Sequence, residues 1–68
     1  MHEVDARGLS CPEPAMMAVQ ALRDWPNESF KVLVSSATSK INVTEMAEKR
    51  GRKVSAVRDG DDFILTIE

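Results

Sequence analysis

The chain has one cysteine, one histidine, no tyrosine, and only Trp25, Phe30 and Phe63 as aromatic residues among 68 positions. One thiol excludes an intrachain disulfide, and one thiol with one imidazole falls short of the four ligands of a structural zinc site. Three aromatic rings offer little for a base-stacking platform, and no glycine-rich phosphate loop occurs. No run approaches the ~18 apolar residues of a membrane span. Residues 1–8 are charged where a secretory leader has an apolar centre. Charge of one sign is lacking as well. Nine Lys and Arg stand against eleven Asp and Glu, a net −2, which is too small and of the wrong sign for binding by phosphate neutralisation. Direct nucleic-acid binding and membrane insertion are therefore not expected. The expected compartment is the reducing cytoplasm, where a thiol stays free.

What is present is ordinary globular balance, 43% hydrophobic against 29% charged, outside the range in which chains stay disordered. Residues 1–68 read as a single small domain with no repeat or low-complexity segment, held together by packing alone. Val4 and Ala6 alternate with polar neighbours in a short strand over 2–6, and Arg7-Gly8-Leu9-Ser10 supplies a turn. A helix over about 12–23 follows, with Pro12 at its first position and Pro14 in its first turn, where a missing N–H costs little. Ala15, Ala18, Val19 and Leu22 make its apolar stripe, with Met16 flanking. The period of two over 29–35 puts Phe30, Val32 and Val34 on one face of a strand. Ser39 is the expected cap of a second helix over 40–50, with Val43, Met46 and Ala47 inward and Gly51 beyond its end. Strands over 53–58 and 63–67 flank Asp59-Gly60-Asp61, where Asp-Gly predicts a hairpin turn with both central residues at positive φ. The expected fold is α+β, a two-layer βαβαββ sandwich with two helices on one face of a four-stranded mixed sheet.

Chemistry is concentrated in Gly8-Leu9-Ser10-Cys11-Pro12-Glu13-Pro14. A thiol at a helix N-terminus meets the positive end of the helix dipole, which favours its reactive thiolate form. Pro12 and Pro14 stiffen the helix entry and leave fewer N–H donors, which are then free to face the sulfur. Arg7 adds a positive charge nearby. Glu13 acts the other way on a thiolate, although an acidic residue in the first turn also compensates the dipole. The plain reading of a lone cysteine is a buried core residue. Against it, Cys11 precedes the apolar stripe and lies in a turn between Gly8 and Pro12. A turn glycine and helix-start prolines need no chemistry individually, so their coincidence around the one thiol carries the inference.

Missing partners narrow the mechanism. Cys-Pro-Glu-Pro lacks the second thiol of a C-x-x-C redox motif. The one imidazole, His2, sits on the first strand, where it reads as a surface residue and not as the base of a Cys-His pair. No cofactor or metal is expected. A nucleophile without helpers suits a carrier that one protein loads and another unloads.

These residues carry a resemblance. Asp5-Ala6-Arg7-Gly8-Leu9-Ser10-Cys11-Pro12-Glu13-Pro14 is similar to the N-terminal signature, with its CPxP motif, of the TusA-like proteins, also called SirA-like. The resemblance implies the βαβαββ sandwich and sulfur transfer. By it Cys11 accepts sulfur as a persulfide and passes it on, Pro12 and Pro14 form the helix start, and Gly8 and Asp5 are motif positions. The implied partners are a donor, such as a cysteine desulfurase or another sulfurtransferase, and an acceptor protein, with DsrE-like proteins one type. The second half departs from the branch known for tRNA thiolation, which tends to carry an acidic-Pro pair and then Asp-Ile-Pro where this chain has Ser36-Ala37 and Asn42-Val43-Thr44. Ala37-Thr38-Ser39, Asn42-Val43, Met46-Ala47-Glu48 and Gly51 more closely resemble the YedF-like branch.

Two other readings stay open at this level. One is a regulatory interaction module in which Cys11 is structural, and the other is a thiol-redox protein in which Cys11 is oxidised without carrying sulfur. Lys49, Arg50, Arg52 and Lys53 read first as dipole compensation and solubility, and second as a docking patch for an acidic partner. Asp59, Asp61 and Asp62 read as turn residues before they read as cation ligands. Met16 and Met17 read as core filling before they read as a rim for docking.

Overall fold

In a computed structural model describing residues 2–68, the chain runs β1 (His2–Asp5), α1 (Glu13–Asp24), β2 (Phe30–Val34), α2 (Ala37–Lys49), β3 (Val54–Asp59) and β4 (Asp62–Ile67). The element order and the mixed four-stranded sheet are those expected from the sequence. β2 follows from its alternation: Phe30, Val32 and Val34 are fully buried while Lys31 and Leu33 are half-buried, as aromatic and β-branched residues suit a pleated surface with one buried face.

The sheet order is β1-β2-β4-β3. β1 pairs parallel with β2, and β4 pairs antiparallel with both β2 and β3. β2 and β3 therefore run the same way with β4 between them, and each helix is a crossover between two parallel strands. A crossover helix must return the chain to the start of the next strand. Both helices thus point against β1 and β2, pack against each other, and have their N-termini at one end of the molecule, beyond the C-terminal ends of those strands.

Phe30, Val32, Val34, Leu65 and Ile67 supply the sheet side of the core, with Ala6, Ala18, Ala21, Leu22, Val43 and Ala47 closing it. The α1 stripe is turned from the expected one. Pro14, Ala18, Ala21 and Leu22 are buried, while Ala15 and Val19 are half-buried. Both sets fit helical spacing, and simultaneous packing on the sheet and on α2 selects between them. Met17 packs partly against the core, whereas Met16 is 63% exposed.

Three local expectations are corrected. Pro12 is the N-cap of α1, not its first helical residue; its carbonyl accepts the Met16 N–H at 3.0 Å, and Pro14 occupies the first turn. Ser36 and not Ser39 caps α2: the Ser36 hydroxyl oxygen accepts the Ser39 N–H at 3.1 Å from an extended backbone. Ser39 lies inside the helix, buried, with its hydroxyl oxygen accepting from the Ser36 hydroxyl at 3.0 Å. α2 therefore begins three residues earlier than a Ser39 cap implies, because two serines three apart can each serve and Ala37 favours the helix. At the hairpin, Asp59 pairs with Asp62, so the loop is Gly60-Asp61, and Gly60 alone has positive φ, +64°. Glycine at the first central position is the type II′ arrangement, which replaces the expected Asp-Gly turn.

α2 ends where Gly51 was expected to end it, with Arg52 N–H donating to Ala47 O at 3.1 Å and Gly51 N–H to Glu48 O at 3.0 Å, the Schellman pattern. The basic cluster beyond it divides. Arg52 is a clamp, donating to Glu68 O and Glu28 O at 2.6 Å each and to Pro26 O at 3.4 Å. Lys49, Arg50 and Lys53 are exposed. Among the described residues no helix is long and apolar enough to cross a membrane.

Candidate functional site at the N-termini of the two helices

The turn after β1 is fixed at both ends before it reaches the sulfur. Ala6 is fully buried and donates its N–H to Leu33 O at 2.8 Å. Gly8 has a φ of +78° and donates its N–H to Ser35 Oγ at 2.8 Å. Nothing lies within 4 Å of where a Gly8 Cβ would stand, so the backbone conformation and not space calls for glycine. Leu9 packs against the core, and Ser10 O accepts the Glu13 N–H at 3.0 Å. Between these anchors Cys11 is exposed and free, which overturns the buried-core reading of the lone thiol.

The donor that reaches the sulfur is not a backbone group of α1. Of the first helical residues, Pro14 has no N–H, and Glu13 has its N–H committed to Ser10 O. Instead Asn42, on the second turn of α2, donates from Nδ2 to Cys11 Sγ at 3.4 Å. The parallel packing of α1 and α2 brings the two together. The sequence reading did not single out Asn42 as a site residue. The available signal was topological: two helices crossing over in the same sense put their N-terminal turns side by side, so polar residues early in α2 become neighbours of Cys11.

Arg7 is turned to carboxylates. Its Nε and Nη2 donate to Asp5 Oδ1 and Oδ2 at 2.9 and 2.8 Å, a bidentate pair, and Nη1 lies 3.8 Å from Asp62 Oδ2. The Arg7 side chain and then its backbone N–H hold the Asp5 carboxyl down to about 2. Asp5 in turn pushes the guanidinium further above its ordinary range. Arg7 therefore ties the turn to β1 and to the β3–β4 hairpin, and its expected influence on the thiolate has no contact to support it. Glu13 is exposed as the first residue of α1, in place to compensate the dipole.

His2 stacks on Trp25 with ring centroids 4.0 Å apart and planes 1° from parallel, and its Nε2 lies 3.4 Å from Glu28 Oε2. Trp25 caps the C-terminus of α1, and the helix, about 18 Å long at 1.5 Å per residue, separates it from Cys11. No Cys-His pair forms. Among the described residues no group of three or more His, Cys, Asp or Glu is placed to hold a metal ion. A cavity of about 300 Å³ lies between Val19, Leu22, Arg23, Pro26, Arg50 and Arg52, and one of about 220 Å³ lies beside Met17 and Trp25. Cys11 lines neither. Its sulfur stands on a surface, a placement suited to another protein more than to an enclosed small substrate.

The profile of the family described as Sulfurtransferase TusA matches residues 2–68. The chain belongs to this TusA family. A relative from Archaeoglobus fulgidus, named as a candidate sulfur carrier protein, is 33% identical over 64 residues, 93% of this chain and 88% of that one. The crystal structure of a SirA-like protein from Desulfitobacterium hafniense superposes with a TM-score of 0.90 at 31% identity, covering 98% of this chain and 95% of the other. The TusA-family sandwich thus spans every element described above, and Cys11, Pro12 and Pro14 stand at the start of its first helix, α1.

Proposed function

We propose that this TusA-family chain is a sulfur carrier in which Cys11 accepts sulfur as a persulfide from a donor protein and relays it to an acceptor protein. The observation that carries the reading is the position of the chain's one thiol, exposed at the start of α1 and lining neither of the two cavities described above. Family membership and the carrier name of the archaeal relative support it. In loading, the Cys11 thiolate attacks the outer sulfur of a donor persulfide. A new S–S bond forms to Cys11, the donor's S–S bond breaks, and its electron pair leaves with the donor thiolate. Unloading repeats the exchange with Cys11 as the leaving thiolate. No external oxidant or reductant is consumed.

The donor that fits is a cysteine desulfurase or another sulfurtransferase in the cytoplasm. The similarity of the Ala37–Gly51 region to the YedF-like branch favours a DsrE-like acceptor over a relay to tRNA thiolation. Gly8, Pro12 and Pro14 act in this reading by presenting Cys11.

The test is intact mass under non-reducing conditions after incubation with a cysteine desulfurase and cysteine, beside Cys11→Ser. One added sulfur atom, removed by a thiol reductant and absent from Cys11→Ser, is the expected result. No gain from a desulfurase or from thiosulfate with a sulfurtransferase, while Cys11 alkylates readily, would turn the assignment to a redox role.

A further inference from the structure

We propose that Asn42 is a positioning residue for the sulfur, acting chiefly when sulfur leaves Cys11; the inference rests on the carrier reading. The contact is made by the fold and not by the local chain. Asn42 Nδ2 donates to Cys11 Sγ at 3.4 Å across 31 residues, from a helix held by the Ser36 cap and by the burial of Val43 next to it. Asn42 is half-buried and Cys11 exposed, so the amide approaches the sulfur from the protein side and leaves the outward side open.

The direction of the effect follows from where charge appears. When an acceptor takes the outer sulfur, the S–S bond breaks and its electron pair stays on Cys11 Sγ. A donor already aimed at that atom stabilises the departing thiolate, and a better leaving thiolate is displaced faster. In loading, the same hydrogen bond orients Sγ but makes the thiolate a somewhat weaker nucleophile, so the two influences partly cancel. Unloading therefore depends on Asn42 more than loading does.

Cyanide is a sufficient probe, because it removes the outer sulfur as thiocyanate and leaves the Cys11 thiolate, with no partner protein involved. The native chain, Asn42→Ala, Asn42→Asp and Asn42→Gln are loaded chemically with polysulfide, and the rate of thiocyanate release is measured after circular dichroism has confirmed the fold of each. Asn42→Ala is expected to release sulfur about threefold to tenfold more slowly, the loss of one hydrogen bond to a developing charge. Asn42→Asp is expected to be slower again, since a carboxylate has no N–H and repels the forming thiolate. Asn42→Gln, which keeps the donor, is expected to recover part of the rate. A packing role predicts the reverse order, with the isosteric Asp milder than Ala. Equal rates in all four proteins, or Asp faster than Ala, would overturn the inference. Because loading is chemical, a chain that no desulfurase loads would count against the carrier reading alone and leave the four rates to decide on Asn42.

Discussion

Ser35 Oγ accepts the Gly8 N–H at 2.8 Å, joining the end of β2 to the turn that delivers Cys11. Ser35→Ala removes that acceptor at an exposed site and is expected to cost about 1 kcal/mol, measured by urea unfolding. Gly8→Ala is expected to cost about 1 to 2 kcal/mol. No atom obstructs the added methyl, so the cost is that of a side chain at a φ of +78°. A β-branched replacement, Gly8→Val, is expected to cost more than Gly8→Asn.

The Asp5 and Arg7 pair predicts an acid-side response. The Asp5 carboxyl is lowered from 3.8 to about 2, so its contribution to stability is fully present above pH 4 and is lost as pH falls through about 2. A carbon-detected NMR titration is expected to give the Asp5 carboxyl a midpoint near 2 in the native chain. In Arg7→Ala the midpoint returns toward 3.8, the ordinary value. An unchanged midpoint in that variant would remove Arg7 as the cause.

Arg52 joins three carbonyls from two separate parts of the chain, Pro26 and Glu28 in the loop before β2 and Glu68 after β4. Arg52→Ala is expected to lose about 2 kcal/mol in chemical denaturation. Arg52→Lys is expected to recover less than half of that, because an ammonium cannot reproduce the planar fork that reaches three acceptors at once. Cys11 lies at the other end of α1, so its alkylation rate in the folded Arg52→Ala protein should match that of the native chain.

The two serines at the start of α2 are separable. Ser36→Ala is expected to cost about 1 kcal/mol, the usual worth of an N-cap. Ser39→Ala leaves the cap intact and removes a hydroxyl whose partner, Ser36, stays near solvent, so a smaller loss is expected. Equal losses in thermal unfolding would mean that the hydroxyl–hydroxyl bond matters as much as the cap.

The parts of this fold that sequence alone made legible are those with one dominant cause. Alternation around Phe30, Val32 and Val34 has a single interpretation, and so does Gly51 after α2. The errors fall where two local solutions are nearly equal. Ser36 and Ser39 are both good caps, two stripes on alanine-rich α1 both fit helical spacing, and Asp59-Gly60 competes with Gly60-Asp61 as the hairpin loop. In each case tertiary contacts decide, and a local pattern holds no record of them. The thiol itself was visible as the one reactive group in a run of Gly and Pro. Asn42 was not, because its closeness to Cys11 depends on the direction in which two helices cross, a property of the sheet order.

That sheet order also bears on when the site comes into being. β4 follows every other element in the sequence yet lies between β2 and β3. During synthesis the sheet therefore lacks an inner strand until residues 62–67 have left the ribosome. Leu65 and Ile67, both fully buried, are missing from the core until then. Cys11 emerges early, but α2 has no finished surface to rest on and Asn42 has no fixed place beside the sulfur. The nascent chain thus presents its thiol first, and the sheet that sets Asn42 beside it is complete once β4 has left the ribosome.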